Sequence, residues 1–172
     1  MPEPTSLTQL NALGRDAFVA TVGHVFERSP WVAEAAWERR PFASLAALHA
    51  AMVAAVDAAG EERQLALIRA HPDLAGRVAL AGELTAESAH EQAAAGLTAL
   101  SAEELARFTA ANEAYRARFG FPFVICAREH QKEAILAAFH RRLANSRDAE
   151  IRTALEEIAR IAWLRLLDVV SA

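Results

Sequence analysis

The chain has one cysteine in 172 residues, Cys126, which excludes an internal disulfide framework and leaves a cysteine-based zinc site without a second thiol. A reducing compartment suits such a chain, and a cytoplasmic location is expected. No uninterrupted apolar run approaches the roughly 20 residues of a membrane-spanning helix. The opening Met1-Pro2-Glu3-Pro4-Thr5-Ser6 has neither a basic n-region nor an apolar h-region, and the closing Val170-Ser171-Ala172 lacks a peroxisomal address, so no membrane association is expected. Concentrated positive charge is also missing. The formal net charge is −4, and the basic cluster Arg141-Arg142 falls near a predicted helix end, where cations suit the dipole and a solvated role is expected. Nucleic acid is therefore not an expected partner, whereas a small anionic ligand needs only a few local arginines. No glycine-rich phosphate loop is present, turn dipeptides are scarce and β-branched residues are scattered.

What remains is rich in alanine and leucine, which favours helix almost throughout. Hydrophobic residues make up 53% and charged residues 23%, the balance of a globular chain that folds on its own. At this length one domain spanning residues 1–172 is the expectation. The fold class that follows is all-α, a single compact multi-helix bundle, and its apolar content leaves room for a helix-mediated homodimer.

Punctuation sets the predicted elements. Ser29 before Pro30 reads as a cap followed by an N1 proline, opening a short helix from about Trp31 to Glu38. Ser44 caps a helix running to Ala59, Gly60 closes it, and Glu61 to Ala70 forms the next. His71-Pro72 stops that helix, because the residue before proline is pushed out of the α region. An irregular connection through Ala81-Gly82-Glu83-Leu84 leads to Thr85, which opens a helix to about Ala95. Ser101 with Glu104 forms a capping box for a longer helix ending near Gly120. Phe121 to Ala127 is the one stretch that reads as extended, and it has no second strand to pair with. Two amphipathic helices, about Glu129 to Ala144 and Asp148 to Val170, complete the chain around an Asn145-Ser146 turn.

Four places could carry chemistry. His71 ends a helix beside a loop of small residues, where the alternative is a histidine that only bonds the last carbonyls. Leu84, Ser88, Glu91, Gln92 and Ala95 share one helical face, a polar patch in an apolar stripe that a solvated surface explains equally well. Arg165 lies in the core stripe of the last helix, after Ile151, Leu155, Ile158 and Ala162. Because an unpaired buried guanidinium is costly, it must snorkel to the rim, pair with a carboxylate such as Glu91, or face an anion. From the stripe alone, Arg165→Met should leave the fold intact while weakening an anion contact. The backbone of Phe121 to Ala127 needs partners other than a strand, and a ligand carbonyl or carboxylate is one such partner. His71, Asp73, His90 and Glu91 are metal-ligand types, but His90-Glu91-Gln92-Ala93-Ala94 lacks the second histidine of a zincin helix, so no metal is expected. Cys126 in an apolar run reads as inert core rather than nucleophile.

Together, Leu67-Ile68-Arg69-Ala70-His71-Pro72-Asp73-Leu74-Ala75-Gly76, Gly82-Glu83-Leu84-Thr85, Ser88-Ala89-His90-Glu91-Gln92 with Ala95-Gly96-Leu97, and Arg118-Phe119-Gly120-Phe121-Pro122-Phe123-Val124-Ile125-Cys126-Ala127-Arg128 resemble the 2-oxo-4-hydroxy-4-carboxy-5-ureidoimidazoline decarboxylases. The resemblance extends to Phe18, Ser29-Pro30-Trp31-Val32 and the Ile158-Ala159-Arg160-Ile161 helix with Arg165. It implies an all-helical enzyme without metal or organic cofactor that makes (S)-allantoin, the last step from urate to allantoin in purine breakdown. It implies that His71 transfers the proton with Glu91 beside it. It further implies that Pro72, Ser88, Glu91, Gln92 and the backbone of Phe123, Val124, Ile125, Cys126 and Ala127 meet the substrate, and that Arg165 lines the site. Histidine, with an unperturbed pKa of roughly 6.5, suits proton exchange near neutral pH. Two other classes remain open on the residues alone: a non-enzymatic helical binding module and a metal-assisted hydrolase of a related ureido compound.

Overall fold

Capping residues place most helix ends in the computed structural model, which describes residues 2–172. Ser6 caps α1 (Leu7–Ala12) in a capping box with Gln9, and α2 (Arg15–Val22) follows Gly14. Next come α3 (Trp31–Trp37), α4 (Leu45–Asp57) and α5 (Glu61–Arg69). Ser44 receives the Ala47 N–H at the start of α4, as its position predicts. Ser29 does not cap α3: its hydroxyl donates to the Glu27 carbonyl instead, and Pro30 occupies the cap position. Gly60 takes φ +87 at the entry of α5 rather than closing α4.

A single turn, α6 (Arg77–Leu80), interrupts the connection expected to be irregular. Thr85 caps α7 (Ala86–Ala94) by accepting from Ser88 N. The Ser101–Glu104 box opens α8 (Ala102–Phe119), which ends on left-handed Gly120 at φ +79. The stretch read as extended forms neither helix nor strand from Phe121 to Cys126, and its last residue, Ala127, opens a 3-10 turn (Ala127–Glu129) before α9 (Lys132–Leu143) and α10 (Arg147–Val169). The molecule is all-α apart from one minimal parallel pairing, β1 (Thr5–Ser6) with β2 (Val170–Ser171), in which Thr5 faces Val170 and Ser6 faces Ser171. Two residues at each end are too few to signal a strand by alternation.

The chain divides into two compact units. The first comprises the segment ending at Ala70 together with Ala159–Ala172, and the second is His71–Ile158. In the first, α3 packs on α2 and α4 around Leu10, Phe18, Val32, Leu48, Met52 and Leu67, all fully buried. In the second, α8 packs on α9 around an aromatic cluster. Phe123 stacks on Phe139 with centroids 3.8 Å apart, and Tyr115 stands edge-on to both. Such offset and edge contacts add about 0.5–1.5 kcal/mol per pair beyond the area they bury. Among the described residues, no helix is long and apolar enough to cross a membrane.

Candidate active site

The chain leaves α5 at Arg69, and Pro72 keeps the helix from resuming; His71, just before that proline, opens the loop and is 6% exposed. Side chains from two helices hold this loop by its backbone and by the Asp73 carboxylate. Gln92 Oε1 accepts from Ala75 N at 3.0 Å, and its Nε2 donates to the Asp73 carbonyl at 3.3 Å. Asn112 Nδ2 donates to the Leu74 carbonyl at 2.9 Å. Arg116 Nε sits 3.0 and 3.1 Å from the two carboxylate oxygens of Asp73. Ala75 is held at φ +50, in the left-handed region, and a Cβ on Gly76 would come within 2.6 Å of Asp73 Cβ. A non-glycine residue stays in that region only when its surroundings over-determine it. The loop is therefore a built support for His71 and Pro72.

The face of α7 that sequence spacing left balanced between solvent and site is buried. Ser88, Glu91, Gln92 and Ala95 are all inside, whereas Ala89 and His90 are exposed. Gln92 ties this face to the His71 loop. The helix also packs against the Ala127–Glu129 turn, and the Glu91 carboxylate is among the charges that act on Cys126. Within the second unit, the His71 loop, the polar face of α7 and the end of the extended segment thus come together.

Phe123, Val124, Ile125, Cys126 and Ala127 are all buried. Among the described residues no protein group accepts from their backbone N–H groups, although the Cys126 and Ala127 carbonyls accept from Glu129 N and His130 N. The Cys126 thiol is pushed up to about 12, first by burial and then by the charges of Glu129, Glu157 and Glu91. It stays protonated at neutral pH, in keeping with inert core.

Arg142 departs from expectation. Far from a solvated helix end, it is 7% exposed. Its Nε donates to Glu150 Oε1 at 2.8 Å, its Nη1 donates to the Val124 carbonyl at 2.6 Å, and its guanidinium lies 4.3 Å above the Phe123 ring. Arg141 is exposed, as expected. Arg142 continues the buried stripe Ile135, Ala138, Phe139, the same spacing signal that singled out Arg165 on the last helix.

Arg165 does not snorkel. It is 3% exposed, lies in the first unit, and its Nη1 is 2.8 Å from Oε2 of Glu27, itself 2% exposed. Glu27 lies in an irregular stretch without periodicity, so sequence carried no signal for it. Asn112 was legible in principle, since Phe108, Asn112, Tyr115 and Phe119 form the buried stripe of α8.

A cavity of about 330 Å³ in the second unit is bordered by Ala75, Leu84, Ala89, Gln92, Leu97 and Leu105. Of the candidate residues only Gln92 reaches it, so its apolar walls add no proton-transfer group. Among the described residues no three His, Cys, Asp or Glu side chains gather as a metal site requires.

Comparison with known proteins adds an independent line. The family model described as OHCU decarboxylase matches residues 11–167, a span crossing both units. The 2-oxo-4-hydroxy-4-carboxy-5-ureidoimidazoline decarboxylase of Haloferax volcanii is 47% identical over 97% of each chain. That of Amia calva is 46% identical over 95% of this chain and 94% of its own. Among solved structures, an (S)-allantoin synthase superposes with a TM-score of 0.78 at 30% identity over 98% of this chain, which spans 54% of that longer chain.

Proposed function

Because the chain belongs to the OHCU decarboxylase family, we propose that it converts 2-oxo-4-hydroxy-4-carboxy-5-ureidoimidazoline to (S)-allantoin and carbon dioxide. This is the last step from urate to allantoin in purine breakdown. The single observation that carries the reading is the meeting, within one unit, of the His71 loop, the buried polar face of α7 and the run of amides from Phe123 to Ala127. Both units serve as one domain, as the span of the family match suggests.

In this reading the bond between the ring carbon and the carboxylate breaks. Carbon dioxide leaves, and the electron pair spreads into the adjacent ring imine, so no external electron sink is needed. A proton then reaches the ureido-bearing ring carbon on one face, the hydroxyl becomes the carbonyl, and its proton passes to the ring nitrogen that took up the electron pair. His71 moves the proton, a role typically worth ~10²–10⁴-fold. Glu91 orients His71 or grips the substrate hydroxyl. Pro72 and Ser88 touch the ring, and the Phe123–Ala127 amides bind carbonyl or carboxylate oxygen. Gln92 spends one oxygen lone pair and one N–H on the loop, which leaves one of each for the ureido group. Arg165, its charge balanced by Glu27, holds a substrate oxygen. The apolar walls of Phe123, Val124 and Ile125 disfavour the reacting carboxylate relative to a charge-dispersed transition state.

The reading includes a cytoplasmic enzyme that needs neither metal nor organic cofactor. It also includes a homodimer formed through helix faces, which light scattering tests. The deciding variant is His71→Asn, which keeps a polar group but does not titrate near neutral pH. Proton transfer predicts a rate loss of roughly 10²-fold or more with little change in thermal stability. A helix-end role predicts a stability loss of about 1 kcal/mol or less and an unchanged rate, and that outcome would reject the mechanism.

A further inference from the structure

The extended segment lacks a strand partner, so something else must hold its backbone in register. The only hydrogen bonds to its stretch from Phe121 to Val124 among those described come from one side chain, Arg142 Nη1 on the Val124 carbonyl at 2.6 Å. Arg142 is itself fixed by Glu150, whose side chain is fully buried and gathers three donors. They are Arg142 Nε at 2.8 Å, Asn145 Nδ2 at 2.9 Å and the Tyr115 hydroxyl. The Tyr115 proton is held tightly, since burial and then the Glu150 hydrogen bond raise its pKa. The guanidinium carbon also lies 4.3 Å from the centre of the Phe123 ring, which stacks on Phe139 of the same helix as Arg142. A planar, always charged fork meets a carbonyl, a carboxylate and a ring face at once, a combination that lysine cannot reproduce.

We propose that Arg142, fixed by Glu150, is a positioning residue that sets the register of the Phe123–Ala127 amides through the Val124 carbonyl, and with it the orientation of the bound substrate. Across the planar trans peptide the Val124 carbonyl and the Ile125 N–H point in opposite directions, so a carbonyl pulled towards Arg142 aims the Ile125 amide the other way. This inference rests on the reading that these amides meet the substrate. Misplacing a reacting group by about 1 Å lowers the rate by as much as ~10²-fold. A loosened segment also lets the substrate present either face to the proton.

Three proteins test this: wild type, Arg142→Lys, and the charge-balanced Arg142→Met/Glu150→Gln. The double variant removes both charges, so no buried ion is left unpaired. Steady-state turnover, the enantiomeric composition of allantoin, and amide hydrogen exchange of residues 121–127 without substrate are measured on each. The expected result is kcat/KM lowered by about 10-fold to 10²-fold, partial loss of chirality, and faster exchange confined to 121–127, with α8 and α9 unchanged. A folded double variant with wild-type kinetics and exchange overturns the proposal. If that protein does not fold, Arg142→Lys decides. One ammonium cannot serve Glu150, Val124 and Phe123 together, so wild-type kinetics and exchange in that variant overturn it equally. Altered exchange in the variants, beside a wild type that does not accelerate decarboxylation, keeps the positioning role and rejects the functional reading instead.

Discussion

Arg165→Met takes away one half of an ion pair whose two side chains are 3% and 2% exposed and whose charged atoms are 2.8 Å apart. Judged from the helical stripe alone, methionine suits the position and the fold should hold. The Glu27 carboxylate reverses that expectation, because it stays buried after its cation is gone. Breaking a buried pair from one side costs about 3–5 kcal/mol, and for a chain of this size each kcal/mol shifts Tm by about 2–4 °C. The single variant should therefore melt roughly 6–20 °C below wild type. Arg165→Met/Glu27→Leu, which replaces both charges by apolar groups of similar bulk, should recover most of the loss. Thermal unfolding followed by far-ultraviolet circular dichroism reads both. An Arg165→Met protein destabilised by less than about 1 kcal/mol, the scale of an exposed pair, would refute the pairing argument. The stable double variant then isolates the ligand contact: a raised KM places Arg165 at the substrate, and an unchanged KM with unchanged kcat removes it.

Gln92→Leu strips the Asp73 and Ala75 backbone of their partner and should lower stability by about 1–3 kcal/mol while reducing kcat, since the His71 loop loses its tether to α7; equal Tm and equal kcat would contradict that tether. Native protein should resist iodoacetamide at Cys126, whose thiol is pushed up to about 12, and react only on unfolding, so rapid native labelling would contradict its burial. The same thiol and Tyr115 both keep their protons in the folded chain to higher pH than when unfolded. Their contribution is whole below the ordinary thiol range of about 8.5 and is lost as pH rises toward 12. Urea titration should find the protein less stable at alkaline than at neutral pH, and equal midpoints would count against this.

Helix existence was legible because caps and periodicity agreed: Ser44, Thr85 and the Ser101–Glu104 box all act as their positions predict. The polar face of α7 was legible as a set of residues but not as buried, since spacing cannot distinguish a face turned inward from one turned outward. Arg142 was misread because charge near a helix end is usually solvated, and only the partners Val124 and Glu150 reveal otherwise. Glu27 could not be read at all, since no local pattern marks a lone carboxylate in an irregular stretch as the partner of an arginine far along the chain. Ser29 was read as a cap although its hydroxyl turns back to Glu27, a local competition that composition does not resolve.

The most direct test of the account is the handedness of the product. Freshly prepared 2-oxo-4-hydroxy-4-carboxy-5-ureidoimidazoline is given to chelator-treated protein, and the circular dichroism of the allantoin formed is followed against the spontaneous reaction. Decarboxylation faster than the spontaneous decay, yielding (S)-allantoin alone, is the predicted result, because the proton is delivered on one face of an oriented ring. Racemic allantoin formed at the spontaneous rate would contradict the account.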